Sequence, residues 1–417
     1  MVVSSQIPTL QLDYVRAQFP ALQSDWIFMD NAGGSQTAQP VIQHIQDYLI
    51  NTNVQLGASY AVSQQASDRV RQGDQAAAVL MNAADSSEII MGASTSLLLR
   101  ILAICLSQTW SLGDEVIVTN CDHEANITPW LELQKQGIVV KFWPLNPETL
   151  TFQLEDLTPL MTNKTRLVTL THTSNVLGTI NPIQSITQFV HDRGAMICVD
   201  GVGYAPHRLV DVQCLDVDFY VYSFYKVYGP HHAVLYGKKT HLLHMPGFNH
   251  DFITQDTIPY KFQPGGANYE LSYSIAGLKA YVVDLAQHHF GQDASHDLRK
   301  KLEQAFEVMT AHEEALSDRL LSYLTSRNNV RLIGHPTGDR NIRVPTIAFT
   351  VNGIDSAVIP TALDHHHIGI RYGDFYAKRL IESLGLQYCH GVIRVSMVHY
   401  NTLTEVDRLI NQLEHLI

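Results

Sequence analysis

The chain has 417 residues, 45% hydrophobic and 16% charged, a balance that fits two or three packed domains and excludes a disordered polymer. Its net charge of -12 argues against a broad electrostatic grip on nucleic acid or an anionic membrane. The opening run "MVVSSQIPTLQLDYVRAQFP" has neither a basic nor an apolar stretch of a signal peptide, the most apolar window is broken by Arg100, and the five cysteines form no CxxC pair; a reducing, cytoplasmic setting is expected, with no membrane span.

Residues 1–40 read as an N-terminal segment that packs with a small C-terminal domain. Residues 41–290 read as a large domain. Within it "SEIIMG" is strand-like and leads through "GASTS" into a helix. Then "DEVIVTN" (114–120), "GIVVKFWPL" (137–145), "TRLVTLTH" (165–172), "AMICVDG" (195–201), "FYVYSFYK" (219–226) and "HAVLYGK" (232–238) follow as strands. Their nearly unbroken Val, Ile and Leu suggests burial on both faces, as in a mostly parallel sheet covered by helices. Connections such as "IQSITQFVHDRG", closed by a glycine, support βαβ units. Residues 291–417 form a smaller α+β domain. It opens on a long amphipathic helix, "SHDLRKKLEQAFEVMTAHEEALSDRLLSYLTSR", and adds the strands "NVRLIG", "TIAFTV", "GIRYG" and "GVIRVSMVHY".

Open α/β sheets bind ligands beyond the carboxyl ends of their strands. At those ends lie Asp122, His123 and Asn126, then Asn175, then Asp200, then Ser223, Tyr225 and Lys226, with Ala93, Ser94 and Thr95 opening a helix nearby. Each alone is common: an aspartate after a strand is usually a cap, and a strand-end lysine usually snorkels. Together they suit a phosphorylated pyridine aldehyde. The helix N-terminus offers N–H groups and hydroxyls to a phosphate. Asp200 can keep a pyridine nitrogen protonated, and the lysine can bond the aldehyde and move a proton.

The runs "DHEANITPW", "HTSNVLGTINPI", "VDGVGYAPH", "SFYKVYGP", "FQPGGAN" and "IRVSMVHYNTLTEVDRLI", after "FMDNAGGS" near residue 30, resemble the class V, fold-type I pyridoxal-phosphate enzymes, close to the group II cysteine desulfurases and selenocysteine lyases. The resemblance implies an α/β fold with a mostly parallel sheet of the seven-stranded type, pyridoxal 5'-phosphate as cofactor, a small amino-acid substrate and a homodimer. It implies Lys226 as the Schiff-base lysine, His123 as the ring-stacking histidine, Asp200 as the pyridine partner and Asn175 near the ring oxygen. Ala93, Ser94, Thr95 and Ser223 fall on the phosphate side, with Tyr225 beside the lysine. Arg394 matches the arginine that grips the substrate carboxylate, with Gly33, Asn175 and Tyr376 on the substrate side. The "PGGAN" segment (264–268) would reach the neighbouring subunit's phosphate.

Departures concentrate where substrate binds. Desulfurases of this type carry a loop cysteine that takes the sulfur as a persulfide. Here the loop reads "IRYGDFYAKRL": Arg371 and Gly373 match, but Tyr376 stands in the cysteine position, after Asp374 and Phe375. A phenol does not accept sulfur as a thiolate does. Cys121, beside His123, and Cys389 are the nearest substitutes along the chain, with apolar packing the default for both. Gly203 and Tyr204 replace a usual glutamine, Tyr225 replaces a histidine, His231 and His232 follow "GP", and "QLGASY" lacks its usual arginine and histidine. The histidines at 365–367 point apart on a helix end and make no metal set. The expectation is a carbon–sulfur lyase acting on cysteine, cystine or a related amino acid. The alternatives are desulfuration to alanine with a sulfur-acceptor protein, an epimerase or aminotransferase reaction, and a non-catalytic cofactor-binding protein.

Overall fold

The structure is a computed structural model, and it describes residues 7–417. In chain order the strands are β1 (Ile27–Phe28), β2 (Ile89–Gly92), β3 (Glu115–Thr119), β4 (Val139–Trp143), β5 (Thr165–Thr171), β6 (Met196–Asp200), β7 (Phe219–Ser223), β8 (Ala233–Gly237), β9 (Val330–Ile333), β10 (Thr346–Val351), β11 (Ile368–Gly369), β12 (Arg371–Gly373) and β13 (Val392–Ser396). Seven form the main sheet in the order β2-β8-β7-β6-β5-β3-β4. All its pairings are parallel except the two made by β8.

Alternation along each strand divides the sheet's side chains between two cores. Ile117, Val168, Leu170, Ile197, Val199, Tyr220 and Tyr222 pack into one. Val116, Val118, Leu167, Cys198, Phe219 and Val221 pack into the other. Burial on both faces explains why these strands read as continuous apolar runs. β4 is the exception. It lies at the edge, so Val139 is exposed and Lys141 reaches Glu115 at 2.7 Å, a charge that also discourages edge-to-edge pairing.

Helix Tyr269–Phe290 packs tightly on helices Gln39–Asn51 and Ala61–Met81. A Cβ on Gly73 would collide with the Ser272 carbonyl, and one on Gly277 with that of Pro40. The four-stranded antiparallel sheet runs β12-β13-β10-β9. Leu316, Leu320 and Leu324 of helix Leu298–Thr325 and Val406, Leu409 and Leu413 of helix Leu403–Leu416 close its core. The last helix starts on a capping box between Thr402 and Glu405. β1 pairs with β11, and Asp30 bridges to Ser396, so residues next to the N-terminal strand meet the end of β13.

One strand is shorter than its sequence suggests. The run expected as strand through residue 226 leaves the sheet at Ser223, and Phe224–Lys226 forms a 3-10 turn. The reason is local pairing: Phe224 N–H donates to the His232 carbonyl, Gly229 N–H to that of Phe224, and Ser35 N–H to that of Tyr225. The turn carries Lys226 off the strand line.

Gly178 has φ +71, and a Cβ there would strike the Thr346 carbonyl of β10. Gly194, after helix Ile183–His191, has φ +75 with open space around it. Both positions penalise an L side chain by about 1–2 kcal/mol, and Gly178 adds the clash. Gly178→Ala is expected to lower the thermal midpoint more than Gly194→Ala; equal shifts would contradict the packing described.

Candidate active site

The carboxyl ends of β5, β6 and β7, with the turn after β3 and the start of helix Thr95–Ser107, enclose a cleft of about 530 Å³ including its mouth, within the usual range for small-molecule sites. Ser94, Thr95, Ser96, His123, Thr171, Thr173, Asn175, Asp200, Gly203, Ser223, Tyr225 and Lys226 line it. Eight of the residues picked from sequence therefore meet at one cavity.

Lys226 is 8% exposed, and among the described residues it has no hydrogen-bond partner. Burial, reinforced by Arg394, pushes its amine down to about 8, while Asp200 and Asp30 pull the other way. Such an amine is partly neutral near pH 7 and mostly so above about pH 8, far more available as a nucleophile than an ordinary lysine. Asp200 sits at the end of β6, and its Oδ1 accepts from Val202 N–H at 2.9 Å. Burial raises its carboxyl to about 6, against the pull of Lys226. His123 is driven down to about 4 by burial, then by Lys226 and Arg394, so its ring is neutral. Its Nδ1 accepts from Ala125 N–H at 3.0 Å, which leaves the proton on Nε2. On the far wall Ser94 caps the helix through Leu97 N–H at 3.2 Å, and the Thr95 and Ser223 hydroxyls are 2.5 Å apart.

Arg394, on β13, is 2% exposed. Its Nη2 donates to Asp30 Oδ1 at 2.8 Å and its Nη1 to the Asn175 carbonyl at 3.1 Å. The Phe375 ring lies 3.7 Å from its guanidinium carbon, and its Nε is buried without a partner. Arg371, opposite Arg394 in the β12–β13 register, reaches the other Asp30 oxygen at 3.5 Å. Asp30 was missed as a site residue, although it stands in the quoted "FMDNAGGS" run. Gly33 leaves it room: a Cβ there would sit 2.8 Å from Asp30 Oδ2.

Not every expected residue faces the cleft. Ala93 lines a neighbouring pocket with Pro264, Gly266, Ala267 and Asn268. Gly33, Arg394 and Tyr376 lie outside the lining; the Tyr376 ring is 5.2 Å from that of His123. Tyr204 stacks on His172 at 3.5 Å instead of facing the cleft. Cys121 follows the apolar-packing default. It is buried among Leu145, Val176 and Leu177, and burial pushes its thiol up to about 12. Cys389, in the turn before β13, borders a separate surface pocket with Asp355. The histidines at 365–367 follow the helix that ends at Asp364, and among the described residues no group of three or more His, Cys, Asp or Glu is placed to share a metal. No helix among them is long and apolar enough to cross a membrane.

The chemistry of this lining fits pyridoxal phosphate. A buried, unpartnered amine and a buried carboxyl share one cavity with hydroxyls at the N-terminus of a 13-residue helix.

The class V aminotransferase family model matches residues 27–409. The aminotransferase-like protein FGM3 of Gibberella zeae is 43% identical, over 98% of this chain and 99% of that one. The cysteine desulfurase-like protein ustD of Aspergillus flavus is 31% identical, over 98% and 91%. The crystal structure of the cysteine desulfurase CsdA from Escherichia coli superposes with a TM-score of 0.82 at 28% identity, covering 97% of this chain and 98% of that one. With fold, cleft and matches in agreement over nearly the whole chain, the protein belongs to the class V aminotransferase family of pyridoxal-phosphate-dependent enzymes.

Proposed function

We propose that the enzyme is a carbon–sulfur lyase that removes the β-substituent of cysteine, cystine or a related amino acid without a protein persulfide. One observation carries this reading: the lysine, carboxyl and histidine line one cleft with a buried arginine beside it, while no thiol reaches it. Tyr376 stands at the loop position of the sulfur-accepting cysteine.

When bound, the cofactor supplies an electron sink for charge developing at the substrate Cα. Lys226 would be the residue that holds it covalently, and its amine is placed to accept a proton from the substrate Cα. Asp200 would partner the pyridine nitrogen, where a positive charge would favour its ionised form. His123, neutral, would cover the ring face. Ser94, Thr95 and Ser223 would hold the phosphate, with Asn175 toward the ring oxygen and Tyr225 beside the lysine. Arg394 takes the substrate carboxylate, a task suited to a guanidinium fork. The sulfur group departs with the bonding pair, and hydrolysis of the remainder gives pyruvate and ammonia. The reading includes a homodimer in the cytoplasm, with segment 264–268 near the neighbouring subunit's phosphate.

Similarity to a cysteine desulfurase structure favours a second outcome, alanine with sulfur passed to an acceptor. Product analysis separates the two. The lyase yields pyruvate and sulfide or persulfide in equal amounts, and the Cys121→Ala, Cys389→Ala double variant keeps turnover within about threefold. Alanine as main product, abolished in that variant, would refute the lyase. A second expectation concerns pH. Because the Lys226 amine is pushed down to about 8, its neutral fraction rises as pH rises through that value. Cofactor uptake by the apo-protein, followed by absorbance, should climb with a midpoint near pH 8 and level by about pH 9; a midpoint near pH 10 would contradict it.

A further inference from the structure

The loop at 373–379 is fixed by bonds from several sides. Phe375 and Tyr376 are consecutive residues at φ +53 and +59, a conformation that side-chain-bearing residues keep only where the surroundings impose it. The Phe375 carbonyl accepts from Asn175 Nδ2 at 2.8 Å, and its ring packs on Arg394. The Tyr376 carbonyl accepts from Glu124 N–H at 2.8 Å, and its own N–H donates to Asp374 Oδ1 at 2.9 Å. Past the tip, Arg379 Nε donates to Glu124 Oε1 at 2.8 Å, while Glu124 Oε2 accepts from Thr128 at 3.0 Å. Glu124 directly follows His123, whose ring borders the cleft.

We propose that Glu124 is a positioning residue: with Arg379 it clamps the loop so that the Tyr376 ring stays fixed beside His123, just outside the cleft lining, and this outer wall limits the size of the side chain a substrate can carry. A persulfide carrier needs a loop that swings out to deliver sulfur; this clamp works against such a swing. The inference rests on the site reading above but not on which bond the enzyme breaks. Glu124 touches neither cofactor nor substrate and acts through the loop.

The test uses the holoenzyme and three variants: Glu124→Ala, Arg379→Ala, and the charge swap Glu124→Arg with Arg379→Glu. Hydrogen exchange is measured across 374–379. Binding of L-alanine and L-phenylalanine is followed by the absorbance of the bound cofactor. The ion pair is partly exposed, so effects of about two- to fivefold are expected. Each single variant should speed exchange by that factor and narrow the preference for alanine over phenylalanine, and the swap should return both toward wild type. Unchanged exchange in the single variants overturns the clamp. Faster exchange with an unchanged preference overturns the wall. Loss of cofactor absorbance together with selectivity would show a merely structural role and also overturn it. Failure of the lyase reading would leave all three readouts interpretable, because neither probe amino acid carries a β-leaving group.

Discussion

The buried amine of Lys226 is the constraint on which the rest of the site depends. An ammonium in that position loses hydration and faces the Arg394 cation, so the neutral form gains. Arg394 is itself buried and must be neutralised, which Asp30 does from the N-terminal segment. Asp30 in turn needs Gly33 without a side chain. One reactive amine thus draws in residues from β7's turn, β13 and the chain just after β1. The sheet that supplies Asp200 and Ser223 and the segment that supplies Asp30 are coupled electrostatically, and the cleft is where their requirements meet.

Much of the fold was legible because its signals are local. Strands buried on both faces repeat apolar residues without interruption, and β3, β5, β6, β7 and β8 are such strands. Strand ends are then legible too, and Asp200, Ser223 and Lys226 stand at or just beyond them. What failed to show was side-chain direction within turns. Ala93 and Ser94 are adjacent, yet they line different pockets. Cys121 and His123 are two apart, yet one faces an apolar cluster and the other the cleft. The end of β7 at Ser223 is set by partners at Ser35 and His232 that no local pattern announces. Asp30 depends on a partner 364 residues away.

The departures from the desulfurase pattern gain meaning from the same packing. Phe375 covers Arg394, Tyr376 stands beside His123, and Tyr204 has turned to stack on His172. Aromatic rings thus pack on the buried arginine and beside the cleft histidine. A fold of this kind changes its reaction by altering what surrounds a retained reactive centre.

The most direct measurement is borohydride reduction of the holoenzyme followed by peptide mapping. The account predicts one reduced pyridoxyl group per chain, on the peptide carrying Lys226, and none after Lys226→Ala. A label on another lysine, or an unlabelled protein that still turns over, would contradict it.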